Sequence, residues 1–252
     1  RGWDAPDFVY VVGEAYVDHP SFGHAIISRV LEKAGYRVAM LCLPDWKDES
    51  AFKRFGKPRL GFLVSSGVID SMVNHYTVAK KRRHDDAYAP GGKAGMRPDR
   101  ATIVYCNRIR QAYRDVPILI GGVEASLRRF SHYDYWDDRV RPSILIDSAA
   151  DLLMYGMGER HVVEIAKRLD AGEKIADMQD ILGTCYAVNT SDYQIQSAKE
   201  CPSFEAVSEN SEQGKRKYAE STYIQQTEHD STRGKTVIQR HGNKIVVQNP
   251  PM

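Results

Sequence analysis

The chain has 252 residues, 42% of them hydrophobic and 27% charged, which supplies enough apolar material for one sizeable core with an appendage. A formal net charge of +2 gives no overall pull toward nucleic acid or a membrane surface, and no apolar run approaches the ~20 residues of a membrane helix. The four cysteines (Cys42, Cys106, Cys185, Cys201) form no CxxC or CxxxCxxC, which argues against a zinc or iron–sulfur site inside this chain and fits a reducing cytoplasm. Residues 8–12 are continuously apolar, as buried parallel strands are. A helix follows with Ile26, Ile27, Val30 and Leu31 on one face and Gly35 at its end. Residues 37–43 read as the second strand, 49–55 as a short helix and 60–65 as the third strand. A polar loop is expected from 66 to 98, long for a structureless connection. A helix is expected over 101–114 with Asp99 as its cap. Strands at 116–120 and 151–155 end in glycines, and 159–169 is amphipathic helix. Alternating strand and helix predicts an α/β, doubly wound parallel sheet covered on both faces. The composition shifts near residue 172. Residues 1–172 are therefore expected as the doubly wound domain and 173–252 as an extension, with a surface helix over 212–227, an exposed turn and a hairpin of 235–239 with 244–248. The opening Arg1, with no signal-like segment behind it, reads as a piece of something longer.

In such a sheet, ligands bind beyond the C-terminal strand ends. Four strand ends carry small or polar residues: Gly13–Glu14 with Asp18 and His19; Ser65 and Ser66 with Gly67; Gly121 and Gly122 with Glu124; and Gly156, Gly158 and Glu159 around Met157. Glycine lets backbone approach a ligand, and the helix N-termini that follow offer free N–H groups to anions. The convergence marks a ligand crevice. Asp18 and His19 are adjacent, so on extended chain they point to opposite sides and make a poor metal pair. One of them is expected to cap the helix beginning near Ser21 and the other to face the crevice. Asp70 and Asn74 share a helical face if 70–75 is helical. The basic run Lys80, Lys81, Arg82, Arg83 is followed by Asp85 and Asp86. It reads as an internal ion-pair network, with RNA contact as the alternative. The stretch SHYDYWDD (131–138), flanked by arginines, suits an interface. No Walker loop, GxSxG or HExxH is present.

The segments YVDHPSFG (16–23), GYRVAMLCLPDW (35–46), SSGVIDSMVNHYT (65–77), RRHDDAYAP (82–90), RPDRATIVY (97–105), GGVEASLRRFSHYDYWDD (121–138), SILIDSAADLLMYGMGER (143–160) and CPSFEAV (201–207) closely resemble the N-terminal region of YgiQ-type radical SAM proteins. The resemblance covers nearly the whole chain. It implies a flavodoxin-like, cobalamin-binding-like domain followed by a radical SAM barrel whose [4Fe–4S] cluster, on CxxxCxxC, cleaves S-adenosylmethionine. That motif lies outside this chain, which is expected to be inactive alone, with the barrel of the same polypeptide as its partner and no membrane contact. Domains that hold cobalamin through histidine carry D-x-H-x-x-G. Here Asp18–His19 lacks the spacer, so His19 is not the expected cobalt ligand, and any cobalamin would be held by backbone and glycine loops. Three alternatives are an active cobalamin module, an RNA-binding module using residues 80–83, and a small-molecule enzyme using Asp18, His19 and Glu159.

Overall fold

Every residue of the first strand is buried, because both faces of the sheet it starts are covered. The computed structural model describes residues 4–194, 197–230 and 232–252; Ser231, in the turn expected after the surface helix, lies outside them. The elements are β1 (Phe8–Val12), α1 (Gly23–Lys33), β2 (Val38–Cys42), β3 (Gly61–Ser65), α2 (Ser71–His75), α3 (Ala101–Ala112), β4 (Ile118–Ile120), α4 (Gly122–Leu127), β5 (His132–Asp134), β6 (Arg139–Arg141), α5 (Ile144–Asp147), β7 (Leu152–Met154) and α6 (Glu159–Asp170). Then come β8 (Thr184–Asn189), β9 (Lys199–Cys201), α7 (Phe204–Ser208), α8 (Glu212–Thr227), β10 (Val237–His241) and β11 (Lys244–Gln248). The stretch expected as a short helix at 49–55 is a single 3-10 turn.

The main sheet runs β2-β1-β3-β4-β7-β8-β11-β10-β9, and β5-β6 is a separate hairpin. The strands β2-β1-β3-β4-β7 are parallel throughout. Their order is that of the flavodoxin-like doubly wound sheet, with the reversal, and hence the expected crevice, between β1 and β3. Alternate residues of β1 enter opposite layers. Val9 and Val11 pack with Tyr105, Cys106 and Ile109 of α3. Phe8, Tyr10 and Val12 pack with Leu31 of α1 and Val162, Ile165 and Ala166 of α6. The extension does not stand apart. Strand β8 pairs antiparallel with β7, Leu153 opposite Cys185, and Cys185, Val237 and Val246 share a core with Val9 and Val11. Among the described residues no helix is long and apolar enough to cross a membrane.

The segment 66–98 is a built arm rather than a bare loop. Asp70 caps α2, accepting from the N–H groups of Met72 (2.9 Å) and Val73 (3.2 Å). Antiparallel bridges join Tyr76 to Arg82 and Asp85 to Lys93. The fully buried Arg97 donates to the Ser66 carbonyl (3.0 Å) and pairs with buried Asp86 (3.2 Å). Such a pair stabilises only when hydrogen bonds offset its desolvation; its visible effect is to tie the end of the arm to its beginning. One expectation is corrected here. Asp99 does not cap α3: its carboxylate accepts from Tyr76 Oη (2.7 Å) and lies 2.6 Å from His75 Nδ1. The stretch 131–138 is braced internally while Tyr133 and Tyr135 stay exposed. It forms the β5-β6 hairpin, in which Asp134 accepts from Arg100 (2.7 Å) and from the N–H groups of Trp136 and Asp137, while Arg141 bridges Asp137 and Asp147.

Candidate functional site

The parallel strands end on a cleft of about 230 Å³, where the switch point predicts one. Its floor is apolar: Leu63 from β3, Leu119 at β4 and Met154 at β7, walled by Ile26 and Ile27 of α1. Its edges are Gly23, Gly67, Gly121, Gly122, Gly156 and Gly158. Polar groups are few. Tyr10 and Ser65 lie together at the base; burial pushes the Tyr10 hydroxyl up to about 12, the hydrogen bond with Ser65 only partly opposing it. Tyr10 is thus a neutral hydroxyl at neutral pH. An apolar pocket with a small set of placed polar groups is the ordinary form of a small-ligand site.

One wall is latched by a pair that sequence reading did not single out. Glu14, after β1, is wholly buried, and its Oε1 lies 2.9 Å from Nδ1 of the buried His24 in the first turn of α1. The Val68 N–H donates to Glu14 Oε2 (2.9 Å) and the Val17 N–H to His24 Nε2 (3.4 Å). The rings of Tyr16 and Phe22 flank His24. The pair therefore joins the β1–α1 loop to the turn after β3. Gly67 is required there twice over: its φ is +110°, and a Cβ would fall 2.4 Å from Glu14 Oε2. The advance signals were the position of Glu14 at a strand end and the nearness of His24 in sequence to Asp18 and His19, which suggested the wrong partners for it.

The ten residues expected at the crevice divide. Ser65, Gly121, Gly122, Gly156, Gly158 and Glu159 line the cleft together. Gly122, at φ +82°, lets α4 start against Ser65, where a Cβ would meet the Ser65 Cβ at 3.3 Å. The other four lie elsewhere. Asp18 is exposed and ion-paired with Arg29, on a shallow groove across α1 from the cleft. His19 shares that groove, its Nδ1 accepting from the Ser21 N–H (3.1 Å). Neither caps α1, whose N-cap Phe22 has no side-chain acceptor to offer. Ser66 turns away, its hydroxyl donating to the Ile69 carbonyl (3.0 Å). Glu124 is buried on the opposite face of α4. Its two oxygens accept from the N–H groups of Ser71 (2.8 Å) and Thr102 (3.0 Å), so it caps both α2 and α3.

Two further hollows adjoin the cleft around Gly156. One is lined by Tyr155, His161, Gly183 and His229, the other by Val123, Leu127, Arg129 and Gln225. Val123, Leu127 and Met157 are exposed along this rim. Arg129 lies over the Tyr155 ring, whose hydroxyl donates to the Asn249 carbonyl (2.6 Å).

A doubly wound sheet with an apolar cleft at its switch point is common to many proteins; what decides the family is the sequence along its whole length. The profile described as "Radical SAM N-terminal" matches residues 1–252. The chain belongs to the Radical SAM N-terminal family. Its relatives include a UPF0313 protein of Clostridium botulinum (strain Okra / Type B1), 57% identical over 251 residues, covering 100% of this chain and 38% of the relative. A UPF0313 protein of Clostridium perfringens (strain ATCC 13124) is 56% identical over 251 residues, covering 100% of this chain and 37% of the relative. The Radical SAM N-terminal chain thus spans well under half of these curated relatives. A solved radical S-adenosylmethionine methyltransferase, TsrM from Kitasatospora setae with tryptophan substrate and a SAM analog bound, is similar at 19% identity and a TM-score of 0.45, covering 71% of this chain and 28% of that one.

The cysteines of this Radical SAM N-terminal domain do not suit an iron–sulfur cluster. Cys106, Cys185 and Cys201 are buried, Cys42 is half-buried, and all are far apart in sequence. Burial pushes the Cys42 and Cys201 thiols up to about 11 and Cys185 to about 12, with Cys106 raised as well. Cluster ligation needs thiolates. Among the described residues no three His, Cys, Asp or Glu gather to hold a metal ion.

Proposed function

We propose that this domain holds a small ligand, a flat apolar body bearing an anionic group, at its strand-end cleft and presents it to the remainder of a radical SAM iron–sulfur protein. The observation that carries this reading is the way its helices begin. At α2, α5, α7 and α8 the cap side chains Asp70, Ser143, Ser203 and Ser211 accept from first-turn N–H groups. At α3 the same task falls to Ser71 and Glu124. The helices that start at the cleft, α1, α4 and α6, begin at Phe22, Gly121 and Gly158 with no side-chain cap. The longer helices α1 and α6 begin at Gly23 and Glu159, both on the cleft lining, so their free first-turn N–H groups and positive dipole ends border the space for an anion, with the Glu159 carboxylate at the rim. The apolar floor supplies the complementary surface for a planar group. Val123, Leu127 and Met157 on the rim provide an apolar seat for a neighbouring part of the polypeptide.

Cobalamin held through His19 or His24 does not fit these residues. His19 lies outside the cleft, and both ring nitrogens of His24 are engaged with Glu14 and Val17. A cobalamin held by backbone alone stays within the proposed chemistry. The test is titration of the full-length protein with hydroxocobalamin, followed in the visible spectrum. Backbone-held cobalamin predicts a shift that His19→Ala leaves intact and Gly158→Phe removes. Gly158 has φ −84°, so a larger side chain there is conformationally tolerated. No shift at high micromolar ligand would eliminate cobalamin; a shift untouched by Gly158→Phe would eliminate the cleft as its site.

A further inference from the structure

The arm at 66–98 carries a charge distribution that the cleft does not explain. The expected ion-pair network around its basic run is absent. Asp86 is consumed internally by Arg97, and Asp99 by His75 and Tyr76. Among the described residues no carboxylate lies within ion-pair distance of Lys80, Lys81, Arg82, Arg83 or Lys93. Several arginines elsewhere, Arg37, Arg59, Arg100, Arg110, Arg128 and Arg168 among them, are paired with acids, so what sets the arm apart is that its unpaired cations are consecutive. Residues 80–83 are exposed; the exposed acids near them are Asp85 and, in the hairpin that Lys80 touches, Asp137 and Asp138.

The backbone that carries these cations is held in place. The Arg83 N–H donates to the His75 carbonyl (2.7 Å) and the Thr77 N–H to the Lys81 carbonyl (2.9 Å). Tyr135 Oη donates to the Val78 carbonyl (2.7 Å), and Lys80 Nζ donates to the Trp136 carbonyl (3.2 Å) while lying 4.9 Å from the centre of the Tyr135 ring. The hairpin thus props the arm and sets a partly exposed tyrosine ring against the basic run. The Ala15 N–H donates to the Tyr88 carbonyl (2.9 Å), which places the arm on the same edge as the cleft.

We propose that this arm docks a single-stranded nucleic acid, with Lys81, Arg82, Arg83 and Lys93 on phosphates and Tyr135 offering a stacking face. A run of exposed cations beside an aromatic ring is the means by which proteins track a single strand without reading its sequence. A lipid surface would use the cations but not the ring. The test is fluorescence anisotropy of the full-length protein with labelled twelve-residue oligouridylate and oligothymidylate, at 50 to 200 mM salt. Four phosphate contacts on a single strand give a log–log salt slope of about −3, a roughly 50-fold loss of affinity over that range. Lys81→Gln/Arg82→Gln/Arg83→Gln should flatten the slope to about −0.7, Lys93→Gln should reduce it by about 0.7, and each should retain the wild-type melting temperature. Tyr135→Leu should weaken binding about tenfold without changing the slope. Tighter binding of the uridylate would assign RNA, of the thymidylate DNA. No binding at 50 mM salt, a slope unchanged by the triple variant, or binding only to vesicles containing phosphatidylglycerol would each overturn the proposal.

Discussion

Replacing Glu124 with alanine should destabilise the protein strongly while leaving the cleft lining in place. The carboxylate is almost wholly buried and serves two helices, accepting from the Ser71 N–H at 2.8 Å and the Thr102 N–H at 3.0 Å. Alanine leaves both N–H groups buried and unpaired. Each orphaned group costs about 1–3 kcal/mol, so the sum is about 4 kcal/mol. For a domain of this size that is a fall in Tm of roughly 10 °C. Glutamine keeps one oxygen but sets an amide donor against a backbone donor, so about half that loss is expected. Urea unfolding followed by far-UV circular dichroism, with Asp18→Ala as control, reads the difference. The Asp18–Arg29 pair is exposed and screened by solvent, so Asp18→Ala should leave the midpoint close to wild type. A Glu124→Ala midpoint within about 1 kcal/mol of wild type would refute the capping role and return Glu124 to the ligand residues.

Gly67→Ala should lose stability by more than about 2 kcal/mol, measured by the same unfolding, because φ is +110° and the Glu14 carboxylate blocks the new Cβ. Burial holds His241 at about 4, against about 6.5 in an unfolded chain. Between those values the unfolded state binds the extra proton, so stability falls as pH drops from 6.5 to 4. His241→Phe, which keeps the stack on Phe204, should remove about 2 kcal/mol of that loss in a pH series of unfolding curves. Burial would raise the Asp7 carboxyl, but hydrogen bonds from Arg37 and then Arg59 override it and hold it at about 2. Its contribution is full above about pH 4 and is lost as pH falls toward 2. Asp7→Asn should cost about 1–2 kcal/mol at pH 7, the solvent-facing arginine ends screening the rest.

Much of this fold was legible because its parallel strands are apolar on both faces. Residues 8–12 and 60–65 need no partner to be read as buried strands, and Gly121–Gly122 and Gly156 mark where two others stop. The hairpin of residues 244–248 with its neighbour declared itself through its turn, although its first strand is Val237–His241, two residues later than expected. The arm was harder. Its order depends on Arg97 reaching back to Asp86 and to the Ser66 carbonyl, contacts that span 11 and 31 positions and leave no local pattern. The candidate site was half legible for a related reason. Glycines at strand ends have a local cause and were found. The acidic residues were assigned by proximity in sequence, whereas their direction is set by packing: Glu124 faces α2 and α3, and Asp18 faces solvent and Arg29. Glu14 and His24 meet across ten positions only because the β1–α1 loop folds back over the turn at Gly67.

The central claim is that the strand-end cleft is the place where this domain holds a ligand. Native mass spectrometry of the full-length protein, purified without oxygen, tests it without presupposing the ligand. The wild type should carry an excess mass that organic extraction identifies as an anionic molecule with a planar apolar group, and Gly158→Phe should carry none while keeping the wild-type unfolding midpoint. The same bound mass in both proteins, or no bound small molecule in the wild type, would contradict it.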